Sequence, residues 1–106
     1  MPKFLVKASY TAEGVKGLLR EGGTSRRSTI EELARNLGGN VEAFYYALGE
    51  DDVYVITEFP DNVTAVALSG AVNAAGAVKL TTIPLVTPEE VDEATKKTVD
   101  YRPPGG

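Results

Sequence analysis

The stretch VEAFYYALGEDDVYVITEF, from Val41 to Phe59, decides the fold. It contains two runs, VEAFYYAL and VYVITEF, that are rich in β-branched and aromatic residues and flank Gly49-Glu50-Asp51-Asp52. Such runs on either side of a turn segment form a β-hairpin. A loop centred on Glu50-Asp51 would set Leu48 opposite Val53, Tyr46 opposite Val55 and Phe44 opposite Thr57. Both strands are apolar on both faces. The first offers Val41, Ala43, Tyr45 and Ala47 against Phe44, Tyr46 and Leu48, and the second offers Tyr54 and Ile56 against Val53 and Val55. An antiparallel sheet with one wet face alternates cleanly, so this hairpin must be covered on both sides.

Upstream, Lys3 to Tyr10 alternates with period two and reads as a strand, with Phe4, Val6, Ala8 and Tyr10 on its more apolar face. Thr11 caps a helical stretch that Gly22-Gly23 interrupts before Thr24 or Ser25 caps again. Ile30, Leu33, Ala34 and Leu37 then share a helical face, and Gly38-Gly39 supplies a left-handed stop. Downstream, Pro60-Asp61-Asn62 ends the hairpin and caps a helix of small residues, with Val63, Val66, Ala67, Gly70 and Ala74 at core spacing. So little side-chain volume implies either very close packing or space beneath the helix. A fourth strand, AVKLTTIPLV, carries Pro84 as an edge or bulge residue. Thr87-Pro88-Glu89-Glu90 opens a short last helix to about Lys97.

The order β-α-β-β-α-β plus a terminal helix predicts an α+β, ferredoxin-like fold. Its four-stranded antiparallel sheet carries both main helices on one face. Strands one and three are taken as parallel neighbours. One domain over residues 1–99 is expected, with a flexible C-terminal tail at 100–106. The second sheet face is expected to be covered by a second copy of the chain, because an exposed apolar face invites association.

Composition narrows the chemistry. With no Cys and no His there is no thiol nucleophile, imidazole base, zinc site of the usual kind or proximal haem ligand, so no metal or cofactor is expected. The net charge of −4 argues against nucleic acid, which needs a clustered basic face. Residues 1–35 nevertheless hold seven Lys/Arg against four Glu, which leaves a small organic acid as a possible partner. No apolar run reaches the length of a membrane span, and Lys3 and Lys7 in the N-terminal segment are unlike a signal peptide. No membrane partner is expected, and the expected compartment is the cytoplasm.

The strand FLVKASYT, the segment LGGNVEAFYYALGEDDVYVITEFPD and the later NAAGAVKLTTIPLVTPEE together resemble the GYD-domain proteins of the dimeric α/β-barrel superfamily, over about residues 3–97. The family signature of Gly, a variable residue, Tyr and Asp reads here as Gly49-Glu50-Asp51-Asp52, with Asp51 in place of Tyr. The resemblance implies a GYD-type dimeric barrel. It brings no settled activity, and wider relatives include cofactor-independent monooxygenases and isomerases.

Three constellations carry chemistry. Gly22-Gly23-Thr24-Ser25-Arg26-Arg27 joins two guanidinium groups to a helix N-terminus, a pattern suited to an anion, with solvated Arg side chains as the plainer reading. Arg27 shares a helical stripe with Ile30, Ala34 and Leu37, a position from which it can point toward the sheet's edge. Tyr10 and Tyr46 are expected beneath the small-residue helix, where Asn73 adds an amide, as in a small-molecule pocket, with core filling as the alternative. Gly49 and Asp52 are assigned to the turn, the Asp52 carboxylate accepting backbone N–H bonds. Lys7 and Glu58 are expected on one sheet face, paired across the dimer. The functional expectation is a homodimer that binds a small organic ligand, anionic or neutral, between sheet and helices. The alternatives are a cofactor-independent monooxygenase or isomerase and a purely structural assembly module.

Overall fold

A computed structural model describes residues 1–106. In chain order the elements are β1 (Lys3–Tyr10), α1 (Ala12–Glu21), α2 (Gly23–Asn36), β2 (Asn40–Tyr46), β3 (Val53–Glu58), α3 (Asn62–Ala75), β4 (Val78–Leu85) and α4 (Pro88–Ala94). The strands form one antiparallel sheet in the order β2-β3-β1-β4, the ferredoxin-like arrangement. β1 and β3 are antiparallel, not parallel. The reason is topological. The helical crossover returns β2 in the direction of β1, and a hairpin then reverses β3.

The hairpin register also differs from expectation. Tyr46 stands opposite Val53 and Phe44 opposite Val55, two residues from the register centred on Glu50-Asp51. A shift of two keeps every side chain on its face, so the division into faces survives. Val41 is the exception. A bulge at Glu42 puts Val41 opposite Thr57 on the helix side, while Ala43 opposite Ile56 stays on the open side.

The core lies between sheet and helices. Val6, Ala8, Val53, Val55 and Val78 form one buried cluster, and Phe4, Ala34, Phe59 and Ala65 form another. Thr11 caps α1 by accepting the Gly14 N–H, and Asp61 caps α3 by accepting the Thr64 N–H at 2.8 Å. That bond, with the Thr64 hydroxyl, holds the Asp61 carboxyl below its ordinary range. Neither Thr24 nor Ser25 caps α2. The helix starts one residue after Gly22, whose φ of +90° lets the chain turn between α1 and α2 without a side-chain cap. Gly38, at φ +81°, ends α2 as expected.

α3 buries a different face from the one expected. Ala65 is buried and Leu68, Ser69 and Val72 are half-buried, whereas Val63, Val66, Ala67, Gly70 and Ala74 are exposed. The helix has no charged residue, so its periodicity is nearly uniform and cannot choose a face. Packing against Phe4 and β4 makes the choice.

β4 is an edge strand and accommodates Pro84. Beyond it α4 carries the capping box foreseen at Thr87 and Glu90. Every residue from Pro88 onward is exposed. The radius of gyration, 17.0 Å, therefore exceeds the roughly 13 Å of a compact domain near this length. No helix is long and apolar enough to cross a membrane.

Candidate functional site

Between the sheet and helices α2 and α3 lies a cavity of about 60 Å³. Sixteen residues line it and fourteen are hydrophobic, among them Val6, Val55, Ile30, Leu33, Val72 and Leu80. The other two are Arg26 and Thr57. Thr57 is 3 % exposed, and its hydroxyl oxygen has no hydrogen-bond partner. A buried hydroxyl without a partner is costly, typically by about 1–3 kcal/mol. Arg26 is half-buried and enters no ion pair. It lies one turn before Ile30 on the face of α2 that turns to the sheet. Arg27, one residue on, is exposed.

Tyr10, Arg26 and Val78 also line an outer cleft of about 170 Å³ against α1, whose wall includes Gly14, Gly17 and Glu21. These three side chains line both spaces. Tyr46 stands beside them, and its hydroxyl donates to the Gly23 carbonyl at 3.0 Å, tying the end of β2 to the start of α2. Partial burial, with the neighbouring Tyr10 phenol adding to it, pushes the Tyr46 hydroxyl up to about 12. It is a donor near neutrality and not a base.

The raised value has a consequence for stability. A phenol that holds its proton more tightly folded than unfolded stabilises the fold fully below pH 10, and that contribution is lost as pH rises from 10 toward 12. Tyr46→Phe is expected to cost about 0.5–1.5 kcal/mol at pH 8 through the lost hydrogen bond. Its deficit should shrink in alkali. Urea melts at pH 8, 10 and 11 make the comparison, and a deficit that stays constant would remove Tyr46 from the alkaline titration.

Asn73 is not at this cavity. Its amide accepts from Leu80 N–H at 2.7 Å and donates to Leu80 C=O at 3.3 Å, satisfying the outer edge of β4. A larger open groove of about 490 Å³ lies there. Ser69 there bonds Thr82 at 2.6 Å, Asn73 is held by backbone and Asn62 is exposed to solvent, so the buried hydroxyl without a partner belongs to the smaller cavity. Tyr10, Tyr46 and Arg26 are thus brought to one end of the cavity, while Arg27 and Asn73 stand apart. Thr57 carries no sequence signal of a site residue beyond the alternation Val53, Val55, Thr57, which places a hydroxyl on the inward face.

In the hairpin Asp52 does the fastening. Its carboxylate accepts the Tyr10 N–H at 2.9 Å, and its own N–H donates to Ala8 C=O at 2.8 Å. A Cβ at Gly49 would meet nothing within 4 Å, and its φ is not positive, so no steric demand falls on that glycine. Asp52→Ala is expected to cost about 1.5–3 kcal/mol, the worth of a hydrogen bond to a charged group. It should also loosen Tyr10, visible as faster hydrogen exchange at the Tyr10 amide. Unchanged exchange there would mean the bond does not hold in solution.

The open sheet face presents Leu5, Tyr45, Tyr54, Ile56, Ile83 and Leu85, of which Tyr45 is 72 % exposed. Lys3 pairs with Glu42 and, at 3.3 Å, with Glu58, and Lys7 pairs with Asp51 at 3.6 Å. Lys7 and Glu58 do share a face, but each takes a nearer partner within the chain. Among Asp and Glu there is no cluster able to hold a metal ion.

No curated protein and no solved structure matches the chain. A model of the GYD domain matches residues 4–95, from the second residue of β1 to the end of α4. With its ferredoxin-like sheet and both main helices on one face, the chain belongs to the GYD-domain family, within the dimeric α/β-barrel superfamily.

Proposed function

We propose that the protein is a homodimer, joined through the open sheet face, that binds a small organic molecule in the cavity between sheet and helices. The observation that carries the ligand reading is the pairing of an apolar cavity with the buried, unpartnered Thr57 hydroxyl. Mostly apolar walls with a few polar groups are how proteins hold small molecules. The dimer reading rests on the run of aromatic and aliphatic side chains on a sheet face that no helix covers.

A two-part experiment tests it. Sedimentation velocity should give twice the chain mass for the wild type and the chain mass for Tyr54→Glu, which places a charge at the centre of the face. A monomeric wild type at micromolar concentration ends the dimer reading. Methyl NMR under xenon pressure should shift the signals of Val6, Val55, Val72 and Leu80, with surface methyls unmoved. No response from those methyls means that the cavity is closed in solution, and an assembly module without a ligand is then the better account. The cavity lining holds no Asp, Glu, His or Lys side chain that could serve as a general base, so binding leads over catalysis.

A further inference from the structure

We infer that the ligand is a short aliphatic carboxylate with a hydroxyl or carbonyl group at the end remote from its carboxylate. The inference rests on the cavity reading above and adds the polarity of the occupant.

The cavity's two polar side chains, both without partners, sit at different levels of the sandwich. Thr57 stands opposite Phe4 in the sheet, and Phe4 packs with Ala34 of α2. Arg26 lies eight residues before Ala34 on the same helix, about 12 Å away at 1.5 Å per residue. The volume makes the occupant short, since about 60 Å³ accepts roughly four or five non-hydrogen atoms when one water needs about 10–15 Å³.

The two ends ask for different chemistry. Arg26 is a permanent cation with five N–H donors and no acceptor within the protein, at a half-buried position where a bidentate carboxylate fits. Tyr10 stands at the same mouth and offers a phenol. At the other end only one hydroxyl is available and it can both donate and accept, so an alcohol or a carbonyl satisfies it while a methyl leaves it stranded. The walls between are aliphatic, so a plain chain fills them.

The probes are hexanoate, 6-hydroxyhexanoate and 1-hexanol, titrated by calorimetry into wild type, Thr57→Val, Thr57→Ser and Arg26→Gln. In the wild type 6-hydroxyhexanoate should bind about fivefold to tenfold more tightly than hexanoate, the effect of one neutral hydrogen bond. Hexanoate should bind at least tenfold more tightly than hexanol, the effect of a bond to a charged group. Thr57→Val should abolish the first preference and raise Tm of the free protein, because it removes the stranded hydroxyl without changing the shape. Thr57→Ser should keep the preference. Arg26→Gln should abolish the preference for hexanoate over hexanol and leave the hydroxyl preference in place. If hexanoate, hydroxyhexanoate and hexanol bind the wild type alike, the polarity proposal is overturned and the cavity reading stands. If no probe binds and xenon shifts no cavity methyl, the cavity reading itself fails. A high-resolution crystal structure soaked in 6-hydroxyhexanoate that holds ordered waters only at Thr57 would also overturn the proposal.

Discussion

Gly39→Ala should destabilise the protein by about 3 kcal/mol, the upper end of what overpacking costs. Gly39 joins α2 to β2 where the chain passes the end of β3. A Cβ there would lie 2.0 Å from the Glu58 carbonyl oxygen and 2.8 Å from Cδ1 of Phe59. The nearer obstacle is backbone and cannot rotate away. Relief would require β2 to move off β3, at the cost of the pairing between Asn40 and Glu58 and of the Gly39 N–H bond to Ala34 C=O at 2.9 Å. Urea unfolding checks the value, and Gly49→Ala serves as the control because open space surrounds it. Equal midpoints for the two variants would show that the β2–β3 junction yields without cost.

Phe59→Ala should cost about 3–5 kcal/mol, as truncation of a fully buried aromatic does. Phe59 is 0 % exposed, and its ring meets that of Phe4 at a centroid distance of 5.9 Å. It closes the Phe4-Ala34-Ala65 cluster beneath the N-terminal turn of α3 and forms part of the cavity wall. Truncation therefore has two readouts. Stability falls, and the enlarged cavity should take up benzene more tightly than the wild type does. Phe59→Leu, which keeps most of the volume, should lose under about 1.5 kcal/mol. A Phe59→Ala protein that loses stability but admits no benzene would mean that the helices collapse into the space.

Much of the fold was legible because local patterns and global topology agree. The alternation from Lys3 to Tyr10, the β-rich runs on either side of Gly49 and the caps at Thr11, Asp61 and Thr87 each named an element, and all of these elements are present. Face assignments within strands held, except for Val41 at the bulge, because period two is insensitive to a register shift of two. Direction and face choice were less legible. The antiparallel relation of β1 and β3 follows from crossover and hairpin together and from neither alone. α3 shows why composition is a poor guide to burial. With apolar or small residues almost all round, it left Val63 and Val66 in solvent and turned Leu68 and Val72 to the core.

At the site, the aromatic residues were legible and the decisive polar ones were not. Tyr10 and Tyr46 stood out as hydroxyl-bearing residues on inward faces, and the basic segment after Gly23 stood out by charge. Which arginine turns inward depends on the phase at which α2 begins. Gly22 starts the helix two residues earlier than a Thr24 cap would, and contact with the sheet then places Arg26 inward and Arg27 outward. Thr57 looked like an ordinary β-branched strand residue, since its lack of a partner is a property of its surroundings. The sequence by itself determined the elements, their order and the absence of imidazole and thiol chemistry, because these rest on residue type and on spacings of a few positions. The tertiary structure alone decided the strand directions, the buried face of α3 and the union of Arg26, Tyr10 and Thr57 around one cavity, because these depend on groups far apart in the chain competing for the same space.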